Sequence, residues 1–402
     1  MIYSKDRILT THVGSLPRPA SLIPLLQAHD DGDEVDINTL EKTMTAAVDE
    51  MVENQVANGV DIVSDGEMSK LSYTTYITNR LAGMDYVEDA AALGGTPGQE
   101  GTEGEKGGAR QSDMAEHPDF VEQIRESARK IVGQIKFPQC VGDLSYENTE
   151  PLEQDLSRYR AIVDKHSPTD AFLPAASPGV LSTFVGNSYY DTNDAYLEGL
   201  AEAMQTEYEA IVDAGFVLQI DCPDLAASNH TVYQHISVDE WLKVIEKHIE
   251  VLNHATRNIP SEKMRMHICW GNYEGPHTHD VDWSKAAPVV FKAKPQGVQF
   301  EAANPRHAHE FADFTSDMIP DDKIMIPGVL DSTTNFVEHP KLIAQHIINW
   351  ANIVGRERVI AGTDCGFGTF AGPTPRIARS IMWAKFKAMA EGAQIATDKL
   401  WS

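Results

Sequence analysis

The feature that most restricts how this chain can fold is a repeated grammar: an amphipathic helix, a glycine stop, then a short apolar strand. From Leu40 the apolar residues Met44, Val48, Met51, Val52 and Val56 recur at helical spacing, Asn58-Gly59 supplies the stop, and Val60 to Val63 reads as a strand. Mid-chain the grammar returns, with Met204, Tyr208, Ile211 and Val212 on one helix face, Ala214-Gly215 at its end, and Phe216 to Ile220 as the strand. Strands joined through helices run parallel, because each crossover brings the chain back to the same end of the sheet.

Strand candidates are Ile8 to Val13, Asp61 to Ser64, Gln139 to Leu144, Ala171 to Ala175, Val217 to Ile220, Arg265 to Cys269, Gly297 to Phe300, Lys323 to Val329 and Arg358 to Ala361. A (β/α)8 barrel needs one fewer than this set, and Gln139 to Leu144, close to the next candidate, is expected to be accessory. No G-x-G-x-x-G turn follows any strand, so a doubly wound nucleotide-binding sheet lacks its phosphate-binding feature. The expectation is one large α/β domain over residues 1–402, a (β/α)8 TIM barrel with loop insertions. The clearest insertion is Ala90 to Gly108, whose seven glycines and absent periodicity read as a flexible loop, with a lid over the barrel mouth as its functional reading.

Charge narrows the partners. The 402 residues include 60 Asp and Glu against 33 Lys and Arg, a net charge of -27. Nucleic acids and anionic membranes both need a basic surface, so neither is an expected partner. Met1 to His12 has no apolar segment of the signal-peptide kind and no apolar run reaches ~18 residues, so a cytoplasmic protein is expected. Four cysteines, Cys140, Cys222, Cys269 and Cys365, are too few for a disulfide framework. Cys140 and Cys222 read as small core hydrophobes.

Chemistry-bearing residues gather just after the strands: Gly14-Ser15, Asp65-Gly66-Glu67, Asp221, His267 with Cys269, Glu301, Asp331 and Asp364-Cys365. In a barrel these positions share one rim, where active sites form. His267-Ile268-Cys269 is the sharpest signal, because residues two apart on a strand face the same way and aim imidazole and thiol together. Glu301 and Cys365 on later strand ends complete one imidazole, two thiolates and one carboxylate, a donor set suited to Zn²⁺.

In this order, Thr10-Thr11-His12-Val13-Gly14-Ser15-Leu16-Pro17, Asp65-Gly66-Glu67, Gln219-Ile220-Asp221, His267-Ile268-Cys269, Glu301, Gly328-Val329-Leu330-Asp331 and Gly362-Thr363-Asp364-Cys365-Gly366 resemble the catalytic barrel of the cobalamin-independent methionine synthase family. They also resemble the epoxyalkane:coenzyme M transferases of the same superfamily. The resemblance runs from about Ile8 to about Phe370 and implies that His267, Cys269, Glu301 and Cys365 are zinc ligands. It implies further that Ser15 lies near the carboxylate of homocysteine, with Glu67 and Asp221 at its ammonium. Taken alone, those two acids could equally be caps at strand-to-helix junctions.

The chain departs from the family's folate-using members in three ways. It has the length of one barrel, Thr333 stands where those enzymes carry a catalytic histidine, and Cys222-Pro223 replaces an acid-proline pair. Arg306, His307 and His309, just beyond Glu301, look more like the coenzyme M branch, as a sulfonate-binding group or a proton donor. The leading expectation is zinc-dependent transfer of a methyl or other alkyl group from a donor to a small thiol, homocysteine above all. Epoxide opening by coenzyme M is the alternative, and a metal-independent barrel lyase or decarboxylase, or a non-catalytic thiol-binding protein, are readings from other classes.

Overall fold

The computed structural model describes residues 2–86, 112–123, 138–372 and 375–402, and the glycine-rich insertion expected at 90–108 lies outside the described residues. Eleven strands occur among them: β1 Leu9–Thr10, β2 Ile62–Val63, β3 Leu81–Tyr86, β4 Pro138–Tyr146, β5 Asp170–Ala176, β6 Gly186–Asn187, β7 Val217–Asp221, β8 Met264–Ile268, β9 Gly297–Phe300, β10 Ile324–Pro327 and β11 Ile360–Ala361. All nine sequence candidates coincide with strands. A parallel sheet runs in the order β10-β9-β8-β7-β5-β2, and β1 pairs with β11 in a second, parallel pair. Single parallel bridges, Thr11 to Ile62 on one side and Met325 to Val359 and Gly328 to Gly362 on the other, connect that pair to the two edges of the larger sheet. The result is a mixed α/β fold around a curled parallel sheet. The strand expected to be accessory, β4, stands apart, antiparallel to β3 and next to β6.

The helix–stop–strand grammar has a visible cause. Helix Ile37–Ala57 buries Leu40, Met44, Val48, Met51 and Val52 on one face, and Asp36 caps its start by accepting a hydrogen bond from the Asn38 amide. Val56, which shares the sequence period, is exposed where the helix ends. Gly59 and Gly215 take φ of 80° and 86°, left-handed values that glycine adopts without a side-chain clash, and so turn each chain from helix into strand.

Alternation along the strands sorts side chains into two layers. Met264, Met266 and Ile268 of β8 join the large core between sheet and helices, while Leu9, Ile62, Phe172, Val217, Ile324, Ile326 and Ile360 form a separate cluster on the inner side. That cluster draws from β1, β2, β5, β7, β10 and β11, so strands far apart in the larger sheet meet across its interior, as curling requires. Each fully buried side chain of this kind stabilises the fold by about 1.5–3 kcal/mol. No described helix is long and apolar enough to cross a membrane.

Candidate metal centre

The centre is assembled from strand ends. Period-two alternation places Arg265, His267 and Cys269 on one face of β8 and its extension, opposite Met264, Met266 and Ile268. Arg265 lies deepest, donating to Gln219 Oε1 at 2.8 Å, Thr11 Oγ1 at 2.8 Å and the His12 carbonyl at 2.6 Å, with its guanidinium 3.5 Å from the Phe172 ring centroid. One step up, His267 Nε2 is 3.1 Å from the Asp364 carbonyl oxygen and 3.8 Å from Cys365 Sγ. The ligand atoms of His267, Cys269 and Cys365 all lie within 4.8 Å of one another, and all three residues are buried.

Glu301, directly after β9, brings Oε1 to 3.5 Å from Cys365 Sγ. Its carboxylate is aimed by two donors, the Trp270 amide at 2.9 Å and Asn304 Nδ2 at 2.7 Å. Asp364 secures the same turn, its carboxylate accepting from the amides of Ala302, Ala303 and Asn304 at 2.8 Å each. Of the four residues read as ligands from the sequence, His267, Cys269 and Cys365 cluster and Glu301 reaches Cys365, while Asp364, adjacent to Cys365, holds the turn that carries Glu301.

Electrostatics bear on what this cluster can hold. Burial, the hydrogen bond and charge of Cys269, and the charges of Glu301 and Asp364 push the Cys365 thiol well above its usual value. Burial likewise pushes Glu301 up. Burial also lowers His267 to about 4, with the charge of Arg265 acting in the same direction, so its ring is neutral at physiological pH, as a ligand must be. Thiols and carboxyls crowded out of water repel one another when ionised, and a divalent cation among them reverses that balance by deprotonating the sulfurs outright. The donor set thus fits a borderline-soft cation.

The residues expected to face a substrate stand beside this cluster. Asp221 ends β7, one strand away, with Oδ1 3.7 Å from His267 Nδ1 and accepting from Gln219 Nε2 at 2.8 Å. Burial first, then the charge of Glu67, raise Asp221 to about 8, which brings the two acids into one electrostatic neighbourhood. Glu67 has a left-handed φ of 57°, rare for a residue with a side chain, directly after Gly66 at 72°. Arg18 Nη2 pairs with its Oε2 at 3.2 Å, both groups buried. Ser15 is buried as well, and its carbonyl accepts from the Phe367 amide at 2.9 Å, which ties the loop after β1 to the loop carrying Cys365. A Cβ at position 366 would run into the Ser15 hydroxyl, so glycine there makes room for it.

The run after Glu301 divides. His307 is buried, stacked on Trp270 at 4.2 Å between ring centroids, with Nδ1 3.1 Å from Glu310 and Nε2 3.0 Å from Asp280. Burial acts to lower it, but those two hydrogen bonds and the charge of Glu301 outweigh burial and push it to about 10. Arg306 and His309 are on the exposed side of the same turn. Cys140 and Cys222 are buried and are not among the clustered ligand atoms, although the Cys222 amide donates to the His267 carbonyl at 2.8 Å. The Thr333 hydroxyl donates to Asp331 Oδ1 at 2.8 Å, closing a local turn.

Sequence reasoning passed over Tyr73. Burial, then the charges of Cys269, Asp221 and Cys365, push its phenol well above the usual value, so the hydroxyl keeps its proton. Tyr73 follows no strand, and nothing in Ser72-Tyr73-Thr74 signals a site.

Comparison with known proteins is consistent along the whole chain. No protein-family profile matches it. Methionine synthase of Saccharolobus solfataricus is 23% identical over 396 residues, covering 97% of this chain and 95% of that protein. Methionine synthase of Sulfurisphaera tokodaii is 22% identical over 392 residues, covering 97% and 93%. In fold, the chain is similar to a B12-independent methionine synthase from Shewanella sp. W3-18-1 solved with selenomethionine, with a TM-score of 0.67 at 18% identity over 98% of this chain and 99% of that one. It is also similar to a putative vitamin-B12 independent methionine synthase from Listeria monocytogenes, with a TM-score of 0.61 at 17% identity over 97% and 98%.

Proposed function

From its kinship with the cobalamin-independent methionine synthase family, we propose that this protein is a methyltransferase of the methionine-synthase kind, acting on a small thiol. Homocysteine is the acceptor that best suits the site, and Zn²⁺ the cation, held by His267, Cys269 and Cys365 with Glu301 as the fourth donor. When bound, the ion supplies the charge that keeps a substrate thiol in its nucleophilic thiolate form at neutral pH. The observation that carries this reading is the convergence of two thiols and an imidazole within 4.8 Å at the ends of the parallel strands. The same reading takes the parallel strands as one (β/α)8 barrel, supported by the single bridges on both sides of the β1–β11 pair.

The chain's own residues then have distinct tasks. Glu67 and Asp221 offer paired carboxylates to an ammonium group, whose charge would offset the burial and the Glu67 repulsion that raise Asp221. Arg18 fixes the Glu67 carboxylate through their buried ion pair. Ser15 offers a hydroxyl for the substrate carboxylate, in the space that Gly366 leaves. Asp221 Oδ1 lies 3.7 Å from His267 Nδ1, which sets the substrate-holding carboxylate directly beside a ligand ring.

A thiol panel of homocysteine, coenzyme M, glutathione and cysteine, each offered methylfolate and a simple epoxide, tests this by mass spectrometry. Methionine from homocysteine is the expected product. A hydroxyalkyl thioether of coenzyme M would replace homocysteine with the sulfonate thiol, and zinc-loaded protein that alkylates none of the four would reject the transferase reading.

A further inference from the structure

A second cluster lies on the far side of Trp270. It joins Asp113, in the short helix Ser112–Glu116, His230, in the short helix Ser228–Thr231 beyond β7, and Asp280, in the segment between β8 and helix Trp283–Val290. One ligand atom from each lies within 4.8 Å of the others. His230 Nδ1 is 3.5 Å from Asp280 Oδ1 and 4.0 Å from Asp113 Oδ2. The side chains of His230 and Asp113 are wholly buried, and that of Asp280 is 2% exposed.

Each carboxylate uses one oxygen for positioning and turns the other inward. Asp113 Oδ1 accepts from the Thr278 amide at 2.8 Å and from the Thr278 hydroxyl. Asp280 Oδ2 accepts from His277 Nδ1 and His307 Nε2, both at 3.0 Å. The remaining oxygens, Asp113 Oδ2 and Asp280 Oδ1, are buried and have no hydrogen-bond partner. Two such anionic oxygens facing each other out of water are costly unless a positive charge lies between them. His230 is prepared for that role as a ligand, since Nε2–H donating to the Trp270 carbonyl at 2.7 Å leaves Nδ1 as the acceptor nitrogen.

We infer that Asp113, His230 and Asp280 form a second divalent-cation site, built from nitrogen and oxygen donors and separate from the Cys269–Cys365 centre. Tetrahedral donors ~2.1 Å from an ion such as Zn²⁺ lie about 3.4 Å apart, so the cluster closes on the ion by shifts of well under one side-chain rotamer. Burial lowers His230, against the charge of Asp280, which favours the neutral, ligating imidazole over a cationic histidine bridging the two acids. The site would tie residues 112–123 to the segment after β8, and Trp270 links it to the first centre: its carbonyl holds His230, its amide holds Glu301, and its ring stacks on His307, a positioning partner of Asp280.

The test uses full-length protein stripped by chelator, titrated with Zn²⁺ and quantified by elemental analysis, with a parallel Co²⁺ titration read by absorption. Wild type should bind two equivalents, of which only one gives the thiolate-to-cobalt band. Asp113→Asn and His230→Gln should each lose the band-free equivalent and keep the band, which also shows that these variants are folded. Cys269→Ser/Cys365→Ser should keep one equivalent without the band. A wild type whose single equivalent is lost in Asp113→Asn and survives in the double cysteine variant would remove the first centre and leave this site standing. Zinc content in Asp113→Asn and His230→Gln equal to wild type, or none in the double cysteine variant, would overturn the proposal.

Discussion

The inside of the curled sheet has two ends built by the same strands to opposite rules. At one end the apolar side chains of Leu9, Ile62, Phe172, Val217, Ile324, Ile326 and Ile360 pack against each other. At the other, β7, β8, β9 and the turn after β11 deliver Asp221, His267, Cys269, Glu301 and Cys365, nearly as deeply buried but polar throughout. Arg265 marks the border, its guanidinium on the Phe172 ring and its donors on Gln219, Thr11 and the His12 carbonyl. The difference teaches that burial serves two ends: the floor stabilises the fold, whereas the rim holds groups whose desolvation raises the cost of leaving them without a cation or substrate.

If that division is right, substitutions at the two ends should separate stability from chemistry. The largest effect is expected for Cys269→Ser/Cys365→Ser, with loss of the thiolate-bound metal and of transferase activity, measured by elemental analysis and product formation, while the far-ultraviolet circular dichroism stays native. Phe172→Ala should do the reverse, destabilising the protein by about 3–5 kcal/mol in urea titrations while metal stoichiometry is retained. A smaller effect tests the border beside Trp270. His307 is raised to about 10 in the folded chain, so its ion-pair contribution is complete below the ordinary histidine value near 6.5 and is lost as pH climbs to about 10. Denaturation from pH 6 to 10.5 should show stability falling by up to about 1.4 kcal/mol per pH unit from this group, and His307→Gln should flatten that part of the curve. Glu67→Gln should raise KM for the amino-thiol by a factor corresponding to about 1.5–3 kcal/mol and leave metal content unchanged. At the small end, Arg306→Ala and His309→Ala, on the exposed turn, should change stability by less than about 0.5 kcal/mol and leave turnover alone. A large loss of turnover there would move the acid or anion-binding role back to that turn.

How much of this was legible in the sequence follows the same division. Strands β1, β2, β4, β5 and β7 to β11 were readable because apolar runs bounded by glycine or acidic residues leave a period. His267 and Cys269 were readable because a strand repeats every two residues. Strand β3 was missed: Leu81–Tyr86 carries a glycine and an aspartate in a run with only its first residue buried. The two-residue β6 is held by its neighbour β4 and has no pattern of its own. Arg306, His307 and His309 looked equivalent in sequence, yet the turn exposes two and locks the third between Asp280 and Glu310. Tyr73, Asp113, His230 and Asp280 come from loops and short helices, where only the folded chain sets neighbours, so spacing carried no trace of them.

The left-handed backbone at Glu67 has a further consequence. A residue with a side chain held at φ 57° costs about 1–3 kcal/mol, and glycine would release that strain while deleting the carboxylate. It would also leave the buried Arg18 guanidinium without its carboxylate, at a cost of about 3–5 kcal/mol that outweighs the strain released. The uncomfortable backbone at position 67 is thus held by the ion pair that its side chain makes.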